Sequence, residues 1–170
     1  MGQDTKHSEE VIGNAAIAWL EERGVTTKDI GELVYFLQKD FYPELTEAYC
    51  EEQVKLVLEK REVQNTILTG IQLDCLVEAG GAREPLQDII KVDDSLYGVD
   101  EVLALSILNV YGSIGFTNYG YIDRIKPGIL KQLNDKSSGK VHTFLDDIVG
   151  ALAAATASRI AHNRKRIKES

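Results

Sequence analysis

Zinc ligands, bilayer-spanning segments and excess positive charge are all scarce in this 170-residue chain. It has two cysteines, Cys50 and Cys75, and three histidines, none at zinc-ligand spacing. A Cys-x5-Arg phosphatase loop is also missing, because Gly81 stands where the arginine would follow Cys75. The cysteines are expected to be buried, reduced thiols, and with no secretory leader read from the sequence the expected location is cytoplasmic. Three prolines among 170 residues argue against a disordered or linker-rich chain. No run reaches the roughly 18 apolar residues that span a bilayer. The nearest, "VLALSILNVYGSIGF" at 102–116, is interrupted by Asn109 and Gly112. Lys and Arg number 19 against 27 Asp and Glu, a net charge of −8. Such a chain repels phosphate backbones, so no nucleic-acid partner is expected. A single phosphate bridged by a divalent cation remains compatible with it, because the cation reverses the local sign.

What is present is helical periodicity. Val11, Ile12, Ala15, Ala16, Ala18, Trp19 and Leu20 form one broad apolar face, with Ser8 as cap and Gly24 as stop. Thr27 offers a cap for a second helix through Leu37, and Pro43 separates it from the next. Tyr49, Val54, Leu56, Val57 and Leu58 mark the inside of a third helix, and a break near Arg61–Val63 leads to a fourth that ends at Gly80-Gly81. Pro85 opens a short helix. The very apolar segment 99–116 reads as one central helix, followed by one interrupted at Pro127 and Gly128. Residues 143–166 read as a last long helix, with Thr143 and Asp146 in capping-box spacing. The expectation is one all-α domain over 1–170, an orthogonal or irregular bundle of about six to eight helices.

Acidic pairs lead two of these helices. Helical positions lie about 100° apart. From Asp146 a stripe runs through Gly150, Ala153, Ala154, Ala157 and Ala161, and from Asp147 through Ala151, Ala154, Ala155 and Ser158. Asp100 heads a stripe with Leu103, Ala104 and Ile107, and Glu101 one with Ala104, Leu105 and Leu108. First-turn acids complement the helix dipole. Two adjacent pairs, each at the head of a buried face, ask for more, because an uncompensated buried carboxylate costs several kcal/mol or takes up a proton. Convergence of the pairs would make a hard oxygen site suited to Mg²⁺. Between them, Asp123 and Lys126 sit at i, i+3 before Pro127, either as a surface ion pair or as a further acidic arm with a phosphate-binding lysine.

In order and spacing, "VDEVLALSI", "DRIKPG" and "VHTFLDDIVGALAA" resemble the phosphatidylglycerophosphatase A family, in its soluble bacillus-type branch, over roughly residues 97–157. The matching positions are Asp100 and Glu101; Asp123, Lys126 and Pro127; Asp146 and Asp147. The resemblance implies Mg²⁺-dependent removal of phosphate from phosphatidylglycerol phosphate. Asp100, Glu101, Asp146 and Asp147 would be the metal ligands, Asp123 a ligand or general base, and Lys126 the partner of the phosphate. The chain departs from the family at Gly120, where an arginine usually precedes the Asp-x-x-Lys-Pro block, and in lacking membrane helices. "REVQNTILTG" stands in for the amino-terminal motif, with Asn65 and Thr69 as polar candidates, and His142 is a further candidate for substrate contact.

These readings imply a phosphate-ester substrate, lipid or soluble. The rival is a non-enzymatic helical protein that keeps the family scaffold. The basic tail "HNRKRIKES" would favour peripheral contact with an anionic inner membrane surface, against a plain solvated helix end. Leftover apolar faces favour a homodimer, and His7 and His162 read as exposed.

Overall fold

The computed structural model describes residues 8–169, side chains of Ser113 and of residues 165–169 excepted, as nine α-helices and one 3-10 turn, with no strand among them. His7 and the tail side chains beyond Arg164 lie outside the described residues, and His162 is exposed.

Local capping chemistry explains most helix starts. Ser8 Oγ accepts from the Val11 N–H at 3.3 Å at the head of α1 (Glu9–Glu22). α2 (Thr27–Gln38) is capped one residue earlier than its sequence indicates: Thr26 and Asp29 form a capping box, and the Thr27 hydroxyl donates to Glu51 across the next helix at 2.7 Å. Thr46 caps α3 (Glu47–Leu58). The expected break falls at Glu59–Lys60, and α4 (Arg61–Glu78) runs on separately. α5 (Leu86–Lys91) begins directly after Pro85.

Segment 99–116 is not the single central helix its hydropathy predicts. It divides into α6 (Val99–Leu108) and α7 (Ser113–Ile125) at a turn closed by Gly112 at φ 85°. Glycine reaches that left-handed region at no steric cost, so the chain turns there instead of continuing. Val99 and Val102 are 51% and 66% exposed, so this segment is not the centre of the fold. Val11 on α1 and Leu56 on α3 also stand largely outside.

The centre is α9 (Leu145–Glu169), reached through α8 (Ile129–Leu133) and the 3-10 turn (Lys136–Ser138). Every residue from Phe144 to Ser158 is buried, with α2, α3, α4, α6, α7 and α8 packed around it. A helix that is small and apolar on all sides belongs in the middle of a bundle. Its alanines and Gly150 let neighbours come close, and those neighbours reciprocate with glycine. A Cβ on Gly70 of α4 would lie 2.2 Å from Ile148 Cδ1, and one on Gly31 of α2 would lie 3.0 Å from the Glu51 backbone of α3. The thiol of Cys50 is buried and that of Cys75 half-buried, and both are free. Among the described residues no helix is long and apolar enough to cross a membrane.

Candidate active site

Burying α9 up to its first turn fixes where its leading acids go. Asp146 and Asp147 are 7% and 5% exposed. Asp100, from the first turn of α6, is 8% exposed and faces the same cleft as its exposed neighbour Glu101. Asp123 enters from the last turn of α7, and Lys126 caps that helix. All six side chains therefore line one cavity of about 220 Å³. Asp93, Asp94, Ser95 and Asn134 from the flanking loops complete it.

Lys126 is the hub. Its Nζ donates to Asp123 Oδ1 at 2.9 Å and to Asp146 Oδ2 at 2.8 Å. Burial alone would lower the affinity of this amine for its proton. The charge and hydrogen bond of Asp146, with Asp123, outweigh that and hold it firmly as an ammonium. The backbone bends to deliver it: Lys126 has φ 48° and ψ 57°, left-handed values that a side chain with a Cβ rarely adopts. Asp93 at φ 54° is likewise left-handed, and among the described residues these are the non-glycine positions with positive φ. Both line the cleft, in keeping with the concentration of backbone strain at functional sites.

One ammonium does not balance this many acids. Burial, then the charge of Asp146, then the hydrogen bond and charge of Asp100 push the Asp147 carboxyl up to about 10. Asp146 is also shifted upward by burial, with Lys126 pulling against it. Like charges meeting in a dry site thus favour the protonated form of Asp147. Tyr119, 8% exposed and stacked against Gly150, adds a phenol whose hydroxyl has no hydrogen-bond partner among the described residues, and burial with the nearby acids keeps it protonated.

The rear wall is built from residues that periodicity alone does not single out. Asp74 of α4 is fully buried and accepts from the Phe144 N–H at 3.0 Å and the Leu145 N–H at 2.9 Å, so α9 is capped by a different helix. The predicted Thr143–Asp146 capping box does not form, because Thr143 Oγ1 donates instead to Ile90 O at 2.7 Å. Burial raises the Asp74 carboxyl to about 7 against the pull of those two N–H groups and of Arg23. Arg23 forks onto Glu78 at 3.2 and 2.7 Å and donates to Val141 O at 2.8 Å, while Glu78 accepts from Val141 N. The signal for Asp74 was a lone acid on the stripe of Ile67, Gly70 and Ile71.

Not every candidate gathers here. Asn65 and Thr69 are exposed on α4, where the Thr69 hydroxyl donates to the Asn65 carbonyl at 2.7 Å, and neither lines the cleft. His142 lies in the adjoining cavity with its Nδ1 3.4 Å from Arg23. Burial and the guanidinium depress it to about 4, so its imidazole is neutral near pH 7 and offers no positive charge.

Asp100, Glu101, Asp123, Asp146 and Asp147 present only hard oxygen donors with an excess of negative charge, a set that fits Mg²⁺ in type and sign. Among the described residues no three acidic, histidine or cysteine side chains are already drawn together as a metal cage. Lys126 and the Asp100–Asp147 bond engage several of the oxygens that would serve.

The fold and the site define an all-α protein in which acids from three helices meet around one lysine. The chain belongs to the phosphatidylglycerophosphatase A family, which it matches over residues 16–162. It is 64% identical over 150 residues to the uncharacterised protein YutG of Bacillus subtilis, covering 88% of this chain and 90% of that one. It is 51% identical to the uncharacterised YpjQ of the same organism, over 88% and 84% of the two chains. Among solved structures, it resembles the low temperature requirement C protein of Listeria monocytogenes with a TM-score of 0.91 and 59% identity, over 93% of this chain and 99% of that one. A protein of unknown function from Bacillus stearothermophilus gives 0.88 and 67% identity, over 89% and 94%.

Proposed function

We propose that this protein is a Mg²⁺-dependent phosphatase that hydrolyses a phosphate monoester, with phosphatidylglycerol phosphate as the substrate. The observation that carries the reading is the meeting of Asp100, Glu101, Asp123, Asp146 and Asp147 around Lys126 in one cleft. Asp100, Glu101, Asp146 and Asp147 would hold the ion. When bound, Mg²⁺ supplies charge neutralisation for the transferred group and acidifies a water.

The remaining steps belong to the protein. Lys126 exchanges part of its contact with Asp123 for a phosphate oxygen and offsets its charge. Asp123, thereby freed, takes a proton from the attacking water as its oxygen bonds to phosphorus. The ester P–O bond breaks, and Asp123 passes the proton it took to the leaving alkoxide. A neutral His142 contributes at most an N–H to the substrate. The lipid form of the substrate is favoured by the rim of the cleft, where Leu96, beside the lining residue Ser95, is 92% exposed, and Val99 and Val102, flanking Asp100 and Glu101, are also outside. An acyl chain or membrane surface would cover such side chains.

The test is phosphate release from vesicles containing phosphatidylglycerol phosphate and from soluble monoesters, with and without Mg²⁺, beside Asp146→Asn. Mg²⁺-dependent release that the variant loses upholds the proposal. Absence of turnover on every ester, with a melting temperature indifferent to Mg²⁺, overturns it.

A further inference from the structure

Among the described residues two buried hydroxyls have no hydrogen-bond partner, those of Tyr111 and Tyr119. Buried polar groups are nearly always paired, and one left unpaired is destabilising, so such a hydroxyl calls for a use. Tyr119 stands where one is at hand. It is 8% exposed and lies on α7, one turn before Asp123. Its ring rests against α9 at Gly150, where a Cβ would lie 3.6 Å from Tyr119 Cε2, the ring carbon beside the one that bears the hydroxyl. Gly150 is itself one turn beyond Asp146 and Asp147. The charges that act most on the phenol are, in order, those of Asp147, Asp123, Glu101 and Asp146, all acids of this site. Tyr119 does not line the cleft, so it is a donor set behind a row of acceptors, on the side away from solvent.

Of those acids, Asp123 and Asp146 are held by Lys126 at 2.9 and 2.8 Å, and Glu101 is exposed. Asp147, 5% exposed, has no cationic partner among the described residues. A carboxylate that gives one oxygen to an ion is oriented by what the other oxygen accepts. We infer that Tyr119 is a positioning residue of the ion site: when the cleft holds a cation, its hydroxyl donates to the Asp147 oxygen that the ion does not use, and so sets how that ligand is turned. The inference rests on the reading of Asp147 as a ligand of Mg²⁺, and it concerns binding of the ion rather than the identity of the ester.

Tyr119→Phe keeps the ring and removes only the hydroxyl. Calorimetric titration with MgCl₂ should show the variant binding the ion about tenfold more weakly, the lower end of the scale for losing such a contact. Without added Mg²⁺ the variant should melt no lower than the wild type, because an unpaired hydroxyl has gone, yet it should gain less when Mg²⁺ is added. A role in packing alone would lower stability equally in both conditions. The ultraviolet difference spectrum on adding Mg²⁺ should carry a tyrosine signal in the wild type that the variant lacks. In phosphate release, the Mg²⁺ concentration for half-maximal rate should rise as the affinity falls, with the rate at saturating Mg²⁺ within about twofold of the wild type. Equal Mg²⁺ affinity in the two proteins overturns the inference, and so does a variant destabilised to the same extent with and without the ion. If the wild type binds no Mg²⁺, the reading of the ion site fails and the inference with it. If it binds Mg²⁺ but hydrolyses no ester, the phosphatase reading fails alone, and the titration still decides the role of Tyr119.

Discussion

Lys126 is worth most where its removal leaves most behind. Replacing it with methionine would strip two carboxylates, at 2.9 and 2.8 Å, of their cation while leaving Asp147 and Asp100 in place. Breaking one side of a buried ion pair costs about 3–5 kcal/mol, because the partner charge stays buried. Lys126→Met is therefore expected to melt well below the wild type, and added Mg²⁺ should recover more of the loss in the variant than it adds to the wild type. Calorimetry with and without the ion checks this. Asp146→Asn should behave differently. It relieves repulsion on Asp147 and should be nearly neutral in stability, yet turnover is expected to fall by about 10²–10³-fold, the scale for losing one preorganised electrostatic group. Steady-state kinetics beside a thermal melt separates the two effects.

Helices are brought together here by glycine and by borrowed caps. At Gly31 a Cβ would lie 3.0 Å from backbone atoms of Glu51, which cannot swing aside as a side-chain tip can. Gly31→Ala, which by helix propensity alone would help, is expected to destabilise by about 1–3 kcal/mol, read from the denaturation midpoint. Asp74→Ala removes both acceptors from the head of α9 and should cost about 1–2 kcal/mol, and Asp74→Asn less. Both should also weaken catalysis, since Asp146 and Asp147 lie one and two residues past the capped Leu145. At this scale the limits of the sequence are visible. The acid pairs and the Asp123–Lys126 spacing were legible because each stands on a periodic stripe. The division at Asn109–Gly112 was not, because hydropathy reports what a segment buries and not where it turns. The cap from Asp74 to Leu145 and the clamp from Arg23 to Val141 join residues far apart in the chain, and no local pattern encodes such pairings.

For the molecule as a whole, acid acts in two opposing senses. Unfolded, the imidazole of His142 takes its proton near 6.5; folded, it waits until about 4. Between these values the unfolded chain holds the extra proton, so stability falls as pH falls, by at most about 1.4 kcal/mol per unit for one proton. Glu78, held down to about 2 by Arg23, contributes stability that is present above 4.5 and lost progressively below it, in the same direction. The raised carboxyls of Asp74, Asp146 and Asp147 act in the opposite sense, because there the folded state holds the extra proton. The check is therefore a difference: in chemical denaturation the wild type should lose stability relative to His142→Asn as pH falls from 6.5 to 4. On the outer surface, Leu96→Asn is expected to reduce turnover of vesicle-borne substrate severalfold while leaving that of soluble esters near the wild-type rate, as measured by phosphate release from each. The uninterrupted burial from Phe144 to Ser158 has a kinetic corollary. No face of α9 between residues 145 and 158 can peel away while the rest persists, so the amide protons of that stretch should exchange with deuterium only when the entire chain opens. The floor beneath the acids is therefore as durable as the protein itself, and whatever breathing opens the cleft must come from the surface loops around residues 93–98 and 134–140.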